Sequence, residues 1–210
     1  MDWNLNFKLN VNLNLLTPPA PGPASTRKNK RVKLELHYLV VLGDDGVGKT
    51  ELVKQFLDPY VEDYDPTLIA ADRKHEIVDG QPCVIEPKDV SCHEEYLPMR
   101  EMYIRTGNGF VIVYSITCRS SFEQVLRHYV QAMRMDKWPG PRPAILVGNK
   151  SDETALWKVS FEEGRALARE LGCQFVEMSA RDLVNVKETF HRLVRAIRQT
   201  PESPSNVLPK

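Results

Sequence analysis

The feature that most constrains the fold of this chain is a glycine-rich segment directly after a short apolar run. Residues 43–50 read G-D-D-G-V-G-K-T, and the apolar run covers residues 38–42. A glycine, four residues and then Gly-Lys-Thr is the spacing of a loop whose backbone N–H groups surround phosphate oxygens. Gly43, Gly46 and Gly48 reach the backbone angles that such a loop needs at low cost. The pattern predicts a strand, a phosphate-binding loop and a helix, and a plain glycine turn is the alternative interpretation.

Four other residues of this segment belong to the predicted nucleotide site. Lys49 places a positive charge against the β- and γ-phosphates, and the Thr50 hydroxyl can bind Mg²⁺ at the N-terminus of the following helix. Asp45 and Val47 lie within the loop itself. The segment therefore predicts binding of a nucleotide with Mg²⁺.

A second polar segment follows another apolar run farther along the chain. Asn149, Lys150, Ser151 and Asp152 come directly after residues 144–147, and the carboxyl end of a strand is where a nucleotide base binds in such sheets. The Asp152 carboxylate offers two acceptors for the N1–H and exocyclic amine of guanine, which adenine does not present together. The segment favours guanine, although by itself it could be an ordinary polar turn.

With these two segments and several shorter blocks, the chain resembles the Ras-family small GTPases. The blocks are Tyr-Asp-Pro-Thr at 64–67, Glu-Glu-Tyr at 94–96, Arg-Thr-Gly at 105–107 and Ser-Ala-Arg at 179–181. The resemblance extends from Tyr38 to Gln199 and implies an α/β fold of the P-loop NTPase class. That fold is a mostly parallel six-stranded sheet with helices on both faces, and alternating strand and helix patterns from Leu36 indicate the same class.

The resemblance also implies roles for individual residues. Thr67 would bind Mg²⁺ together with Thr50, and Asp89 would hold the ion through water. Tyr60 would pack against the edge of the guanine, and an ordinary loop aromatic is an equal alternative. The base pocket and its neighbouring loop would be formed by Asn149, Lys150, Asp152, Ser179, Ala180 and Arg181. The backbone N–H of Ala180 would reach the guanine oxygen.

The segment that should carry hydrolysis departs from the family. Residues 89–95 read D-V-S-C-H-E-E where the family has Asp-Thr-Ala-Gly-Gln-Glu-Glu. Cys92 stands in place of a glycine that contacts the γ-phosphate and moves during switching, so a side chain there should hinder the motion. His93 replaces the glutamine that positions the attacking water in Ras. Histidine can also orient water, and an exposed histidine without a role is the alternative.

Asp45 is a third departure, because the family has glycine at this point of the loop. It lies where an activating protein would insert an arginine, and loss of such an arginine costs about 10³ to 10⁵ in rate. With Lys49 and His93 as catalytic residues, we expect slow hydrolysis of GTP to GDP and phosphate. The alternative is a pseudo-GTPase that serves as a non-cycling nucleotide-binding or protein-interaction module.

Protein effectors and a guanine-nucleotide exchange factor are the partners that the resemblance implies. Residues 68–72 read L-I-A-A-D and lack the acidic pair with which Ras attracts effectors, so we expect weak binding to the usual ones. Pro87 lacks a backbone N–H, and we expect the strand before Asp89 to end or bulge there.

Composition and the chain termini limit the other partners. Lys and Arg number 28 and so do Asp and Glu, so net charge gives no drive toward nucleic acid. No cysteine follows Cys173, which predicts no prenyl anchor, and the basic residues within 27–33 predict at most a weak membrane-surface contact. We expect a cytoplasmic monomer, possible peripheral contact at the inner membrane surface, and reduced thiols at Cys83, Cys92, Cys118 and Cys173.

The chain divides into three regions by composition. Residues 1–34 form an Asn- and Pro-rich, basic extension predicted to be disordered, with an extended docking strand as the alternative. Residues 35–200 form the GTP-binding domain, and residues 201–210 form a flexible tail. Two helical stripes are predicted to face the core: Phe122, Leu126, Tyr129, Val130 and Met133, and Val186, Phe190, Leu193, Val194 and Ile197.

Overall fold

A six-stranded sheet forms the centre of the computed structural model, which describes residues 34–57, 73–91, 93–133 and 142–200. The strands are β1 Glu35–Leu42, β2 Lys74–Val78, β3 Gln81–Asp89, β4 Gly109–Ser115, β5 Ala144–Asn149 and β6 Gln174–Glu177. The helices are α1 Lys49–Leu57, α2 Leu97–Thr106, α3 Arg119–Glu123, α4 Val125–Met133, α5 Phe161–Glu170 and α6 Val186–Gln199. Short 3₁₀ turns lie at Glu94–Tyr96 and Thr154–Leu156.

The order of the strands across the sheet is β2-β3-β1-β4-β5-β6, and only β2 runs antiparallel to its neighbour. β4 and β5 are buried along their whole length, as expected for parallel strands covered on both faces. One apolar cluster packs under α1 and α6, and a second packs against residues of α2, α4 and α5. The predicted fold class is confirmed.

The two predicted helical stripes have different outcomes. All five residues of the α6 stripe are buried, as predicted. The other stripe is partly wrong, because Leu126 is 56% and Val130 38% exposed. In α4 the buried positions are Val125, His128 and Ala132, which share one face of the helix by their spacing of three and four residues. Leu126 and Val130 therefore face outward.

Pro87 does not interrupt β3, so that prediction was wrong. The strand pairs with β1 as far as Asp89, with Leu39 opposite Pro87 and Val41 opposite Asp89. Pairing with β2 ends at Ile85, so within the described residues the end of β3 has a strand neighbour on one side. A proline is tolerated where the missing N–H faces such an unpaired side. As a result, Asp89 is held in register beside β1.

A buried arginine connects the ends of two helices. The Arg142 guanidinium donates to the carbonyl oxygens of Ile104 at 2.6 Å and Gly107 at 2.9 Å, at the end of α2. It also donates to the Ala132 carbonyl of α4 at 3.3 Å. The last carbonyls of a helix have no partner within the helix, and Arg142 supplies donors for both ends.

Cys83, Cys118 and Cys173 are free thiols, as predicted, and Cys92 lies outside the described residues. Over the ranges that the structure covers, no helix combines the length and the apolar character needed to span a membrane. The predicted N-terminal extension and C-terminal tail fall outside those ranges, except for Leu34.

Candidate functional site

The glycine-rich segment forms a tight loop between β1 and α1. Gly43, Gly46 and Gly48 have φ values of +149°, +75° and +94°, which side-chain-bearing residues rarely adopt. A Cβ at Gly43 would lie 2.2 Å from the Val113 carbonyl oxygen, and one at Gly48 would lie 2.4 Å from the Asn149 amide nitrogen. Glycine is required at these two positions because the loop packs directly against β4 and β5.

Lys49 begins α1 and directs its side chain back over this loop. Its Nζ donates to the Asp44 carbonyl at 2.8 Å and lies 3.8 Å from Asp45 Oδ1. The lysine is buried although it is charged, and these two contacts compensate for its lost hydration. The ammonium group is therefore held at the loop, where a phosphate group would meet it.

Thr50 and Asp89 come together from two different elements. Thr50 lies in the first turn of α1 and Asp89 ends β3, and the Thr50 hydroxyl donates to Asp89 Oδ2 at 2.5 Å. A hydroxyl and a carboxylate are the oxygen ligands that Mg²⁺ prefers, so the residues present fit this ion. The third predicted ligand, Thr67, lies outside the described residues, as does Tyr60.

Asn149, at the end of β5, connects the phosphate loop to the loop after β6. Its Nδ2 donates to the Val47 carbonyl at 2.8 Å, and its Oδ1 accepts from the Ala180 N–H at 3.1 Å. The residue is only 2% exposed. The Ala180 N–H that was predicted to reach a guanine oxygen thus donates to Asn149 here. Asn149 acts as a brace between two loops, a role that the sequence did not reveal.

The other predicted base-pocket residues gather around this brace. The Ser151 N–H donates to the Met178 carbonyl at 3.1 Å, which places the loop after β5 beside the loop after β6. Lys150 adopts a φ of +68°, Asp152 is half-buried and Arg181 is exposed. Ser179 accepts the Asp182 N–H at 2.9 Å through its hydroxyl, which fixes the turn that carries Ala180 and Arg181. The structure brings both predicted segments to one end of the sheet.

Two residues that depart from the family face each other at the phosphate loop. His93 Nε2 lies 3.7 Å from Asp45 Oδ2, while the other carboxylate oxygen is the one that lies near Lys49. The side chains of His93 and Asp45 are 66% and 57% exposed. The sequence marked each residue separately and gave no sign that they meet. Cys92, beside His93, lies outside the described residues.

A second contact of the loop was also missed. His128 of α4 is buried, and its Nε2 lies 2.8 Å from Asp44 Oδ1. Burial lowers the pKa of His128, while the contact with Asp44 works in the opposite direction. A neutral His128 that donates Nε2–H to the carboxylate fits this environment. The sequence signal for this contact was a histidine at a position of α4 that faces the core.

Comparisons with known proteins agree with this geometry. Residues 38–199 match the family described as "Ras family". The chain is 45% identical over 191 residues to Ras-like protein 1 of Pyricularia oryzae, a match that covers 82% of this chain and 79% of that protein. It is 43% identical over 203 residues to Protein ras-2 of Neurospora crassa, covering 86% and 87%. It is also 42% identical over 189 residues to Ras-like protein B of Aspergillus fumigatus, covering 79% of each.

Proposed function

Because the chain belongs to the Ras family of small GTP-binding proteins, we propose that it binds GTP and GDP with Mg²⁺, hydrolyses GTP slowly and acts as a signalling switch. The observation that carries this proposal is the Asn149 brace, which joins Val47 of the phosphate loop to Ala180. A base site and a phosphate site joined by one side chain are arranged for a single ligand that has both groups.

The phosphates would bind at the N-terminus of α1. Lys49 carries the charge, and the loop N–H groups and the helix dipole favour the same anion. Thr50 and Asp89 would hold Mg²⁺, which when bound supplies positive charge against the β- and γ-phosphate oxygens. Their oxygens already lie in contact, so little rearrangement is needed to present them to an ion.

The base would bind between the loops after β5 and β6. Asp152 would accept the N1–H and the exocyclic amine of guanine, which is the basis for the preference over adenine. The Ala180 N–H would serve the guanine oxygen, either shared with Asn149 or released from it. Lys150 and Arg181 would flank this pocket.

Hydrolysis would be an in-line attack of water on the γ-phosphate, catalysed mainly by positioning and by charge. His93 takes the place of the water-positioning glutamine, and Asp45 occupies the entry point of an activating arginine. Loss of that arginine corresponds to about 10³ to 10⁵ in rate, or roughly 4 to 7 kcal/mol of barrier. The replacement of glutamine by His93 supports slow intrinsic hydrolysis, and Asp45 supports little stimulation by an activating protein.

A non-cycling binding module is the second candidate, and one feature favours it. The donors of the site already have protein acceptors: Lys49 contacts Asp44 and Asp45, and Ala180 contacts Asn149. A site that satisfies its own polar groups can remain folded without exchange of nucleotide. In either case we propose a monomer in the cytoplasm with at most peripheral membrane contact. The switch would meet effectors and an exchange factor, whereas the non-cycling module would meet protein partners without an exchange factor.

A single-turnover assay on the full chain tests the function. Copurified nucleotide is quantified, GTP is loaded with Mg²⁺, and GDP formation is followed over time. Lys49→Ala should abolish binding, while Lys54→Ala, an exposed lysine on the same helix, should not. GDP formation supports the slow switch, and stable GTP supports a non-cycling nucleotide-binding module. Absence of any bound guanine nucleotide would overturn the proposed switch and leave only the protein-interaction module.

A further inference from the structure

The Asp45 carboxylate lies between the side chains of His93 and Lys49. One oxygen lies 3.7 Å from His93 Nε2, and the other lies 3.8 Å from Lys49 Nζ. Both distances are within ion-pair range but longer than a hydrogen bond. A small rotation of the carboxylate toward either neighbour would close one of these contacts.

Stability of the fold does not account for the contact between Asp45 and His93. More than half of each side chain is exposed, and an ion pair in that setting contributes little to stability. Its effect is orientational. The His93 backbone is fixed on both sides, since its N–H donates to Ser91 Oγ at 3.3 Å and its carbonyl accepts from the Tyr96 N–H at 3.1 Å. The remaining freedom of His93 lies in its side-chain torsions, and the nearest carboxylate that could restrict them is that of Asp45.

Resting on the proposed function, we propose that Asp45 is a positioning residue for GTP hydrolysis, acting through the imidazole of His93. A neutral His93 that donates Nε2–H to Asp45 leaves Nδ1 as a hydrogen-bond acceptor. The attacking water can donate to that acceptor, as it would to the family's glutamine. A carboxylate that fixes the tautomer and orientation of a histidine is a common arrangement in catalytic sites.

The reaction itself is unchanged by this assignment. The water oxygen forms a bond to the γ-phosphorus as the bond from that phosphorus to the β,γ-bridging oxygen breaks. GDP leaves with the bridging oxygen, and the protons of the water remain with the phosphate product or pass to solvent. His93 accepts a hydrogen bond from the water and takes no proton from it, so no further reactant is needed.

Bound nucleotide would strengthen the contact. When a γ-phosphate attracts Lys49, the lysine contact of Asp45 weakens, and His93 becomes the main partner of the carboxylate. The same carboxylate places negative charge near the phosphate, which opposes binding. Asp45 therefore has two opposing effects, and only one of them depends on His93.

A double-mutant cycle separates the two effects. Single-turnover hydrolysis at saturating GTP and Mg²⁺ is compared for the native protein, Asp45→Gly, His93→Gln and the double variant. We expect Asp45→Gly to slow hydrolysis about tenfold, although it restores the family's residue, since side chains in contact commonly couple by such factors. In the His93→Gln background the same change should leave the rate equal or raise it, because glutamine needs no orienting carboxylate.

Further variants exclude a general effect of charge or folding. Asp45→Glu keeps a carboxylate and should retain more of the rate than Asp45→Asn. Asp79→Asn removes an exposed carboxylate that pairs with Arg195 instead, and should leave the rate unchanged. Dissociation constants for GDP and GTP are measured for each variant, so that a change in binding is distinguished from a change in the chemical step.

The outcomes distinguish this inference from the function on which it rests. A rate that stays equal or rises with Asp45→Gly in both backgrounds overturns the positioning role and leaves the GTPase intact. A slower rate with Asp45→Gly in the native background, together with an equal or higher rate in the His93→Gln background, supports the role. If the native protein binds no guanine nucleotide in the titration, the proposed function fails, and the positioning role fails with it.

Discussion

The base side and the hydrolysis side of the site are built in different ways. On the base side, Asn149 is buried and both ends of its amide bind backbone groups of neighbouring loops. On the hydrolysis side, Asp45 and His93 are mostly exposed, and their closest approach is 3.7 Å. Under the proposed function, nucleotide binding would therefore be linked to the packed core, whereas hydrolysis would depend on weakly held side chains. Mutations should be able to change one without the other.

The position of each strand in the sheet explains this difference. β5 has a neighbour on both sides along most of its length, so the loop that follows it starts from a fixed point. The end of β3 is paired with β1 beyond the last contact with β2. The residues after Asp89 thus begin from a less enclosed position. His93 therefore lies on a segment with fewer packing constraints, whereas Asp45 follows β1, which is paired on both sides.

The largest expected effect comes from removing the Asn149 side chain. Asn149→Ala leaves the Val47 carbonyl and the Ala180 N–H without their partner, and each unsatisfied buried group costs about 1 to 3 kcal/mol. We expect a loss of about 2 to 5 kcal/mol in the free energy of unfolding by urea, together with loss of guanine-nucleotide binding.

Asn108→Ala is the matched control for this change. Asn108 is also buried and accepts the Tyr38 N–H at 2.8 Å, but it precedes β4 at the opposite end of the sheet. It should destabilise the protein without changing nucleotide affinity at a temperature where the variant is folded. A stability loss below about 1 kcal/mol for Asn149→Ala would contradict the brace.

The next effect concerns the predicted Mg²⁺ site at Thr50. Thr50→Ala removes a predicted Mg²⁺ ligand, and a polar contact to a charged group is worth about 1.5 to 3 kcal/mol, or roughly 10- to 150-fold in affinity. Removal of Mg²⁺ with EDTA should accelerate release of a fluorescent GDP analogue from the native protein and have little effect on the variant. Thr200→Ala, at the end of α6, should behave as the native protein does. An equal response of Thr50→Ala to EDTA would count against this site.

A pH profile tests the contact between buried His128 and Asp44 of the phosphate loop. The pKa of His128 is lowered by burial, so the unfolded chain takes up this proton more readily than the folded protein does. Stability from this residue is present above the ordinary value of 6.5 and is lost as the pH falls through the lowered pKa. Between pH 7 and 5, the native protein should lose more stability than His128→Gln, by at most about 1.4 kcal/mol per pH unit.

Urea midpoints at pH 7, 6 and 5 measure this difference. The groups acting on His128 are Asp44, which favours its protonated form, and Lys49 and Arg127, which disfavour it. The pKa of His37 is also lowered by burial, but His37 is present in both proteins and its contribution cancels in the comparison. Parallel profiles for the two proteins would contradict the assignment of a neutral His128.

The smallest effect concerns a buried hydroxyl on β4, beside the strand that ends at Asn149. The Tyr114 hydroxyl is buried and has no hydrogen-bond partner among the described residues, and burial raises the pKa of Tyr114. Tyr114→Phe removes this group at little cost in packing, so we expect a change between zero and about 1 kcal/mol in favour of folding. The measurement is the urea midpoint. Destabilisation would indicate that the hydroxyl has a partner, such as a bound water.

Local motifs were predictable from the sequence, and contacts between distant segments were not. The phosphate loop, the segment at Asn149 and the α6 stripe each depend on neighbouring residues with a fixed spacing, and their folds agree with the prediction. Pro87 was misjudged because its effect depends on which side of β3 remains unpaired. The α4 stripe failed at Leu126 because an apolar residue fits the exposed edge of an amphipathic helix as well as its centre.

The contacts of Asp45 with His93 and of Asp44 with His128 are contacts between distant segments. Each joins segments that are far apart in the chain, and no local pattern specifies such a pair. Both involve a polar residue whose partner is defined only when the loop, the end of β3 and α4 are placed in three dimensions. The sequence could mark these residues as unusual and could not reveal what they touch.

The guanidinium of Arg142 gives α2 a fixed point. It holds the carbonyls of Ile104 and Gly107 at the C-terminal end of the helix, and Ala132 ties the same group to α4. If α2 rotates while these hydrogen bonds remain, the axis of the rotation must lie near Gly107. Over the 10 residues of the helix, about 15 Å, a tilt of about 20° moves the N-terminal end by about 5 Å. The largest displacement would therefore occur at the N-terminal end of α2, next to His93, while the end near Gly107 stays in place.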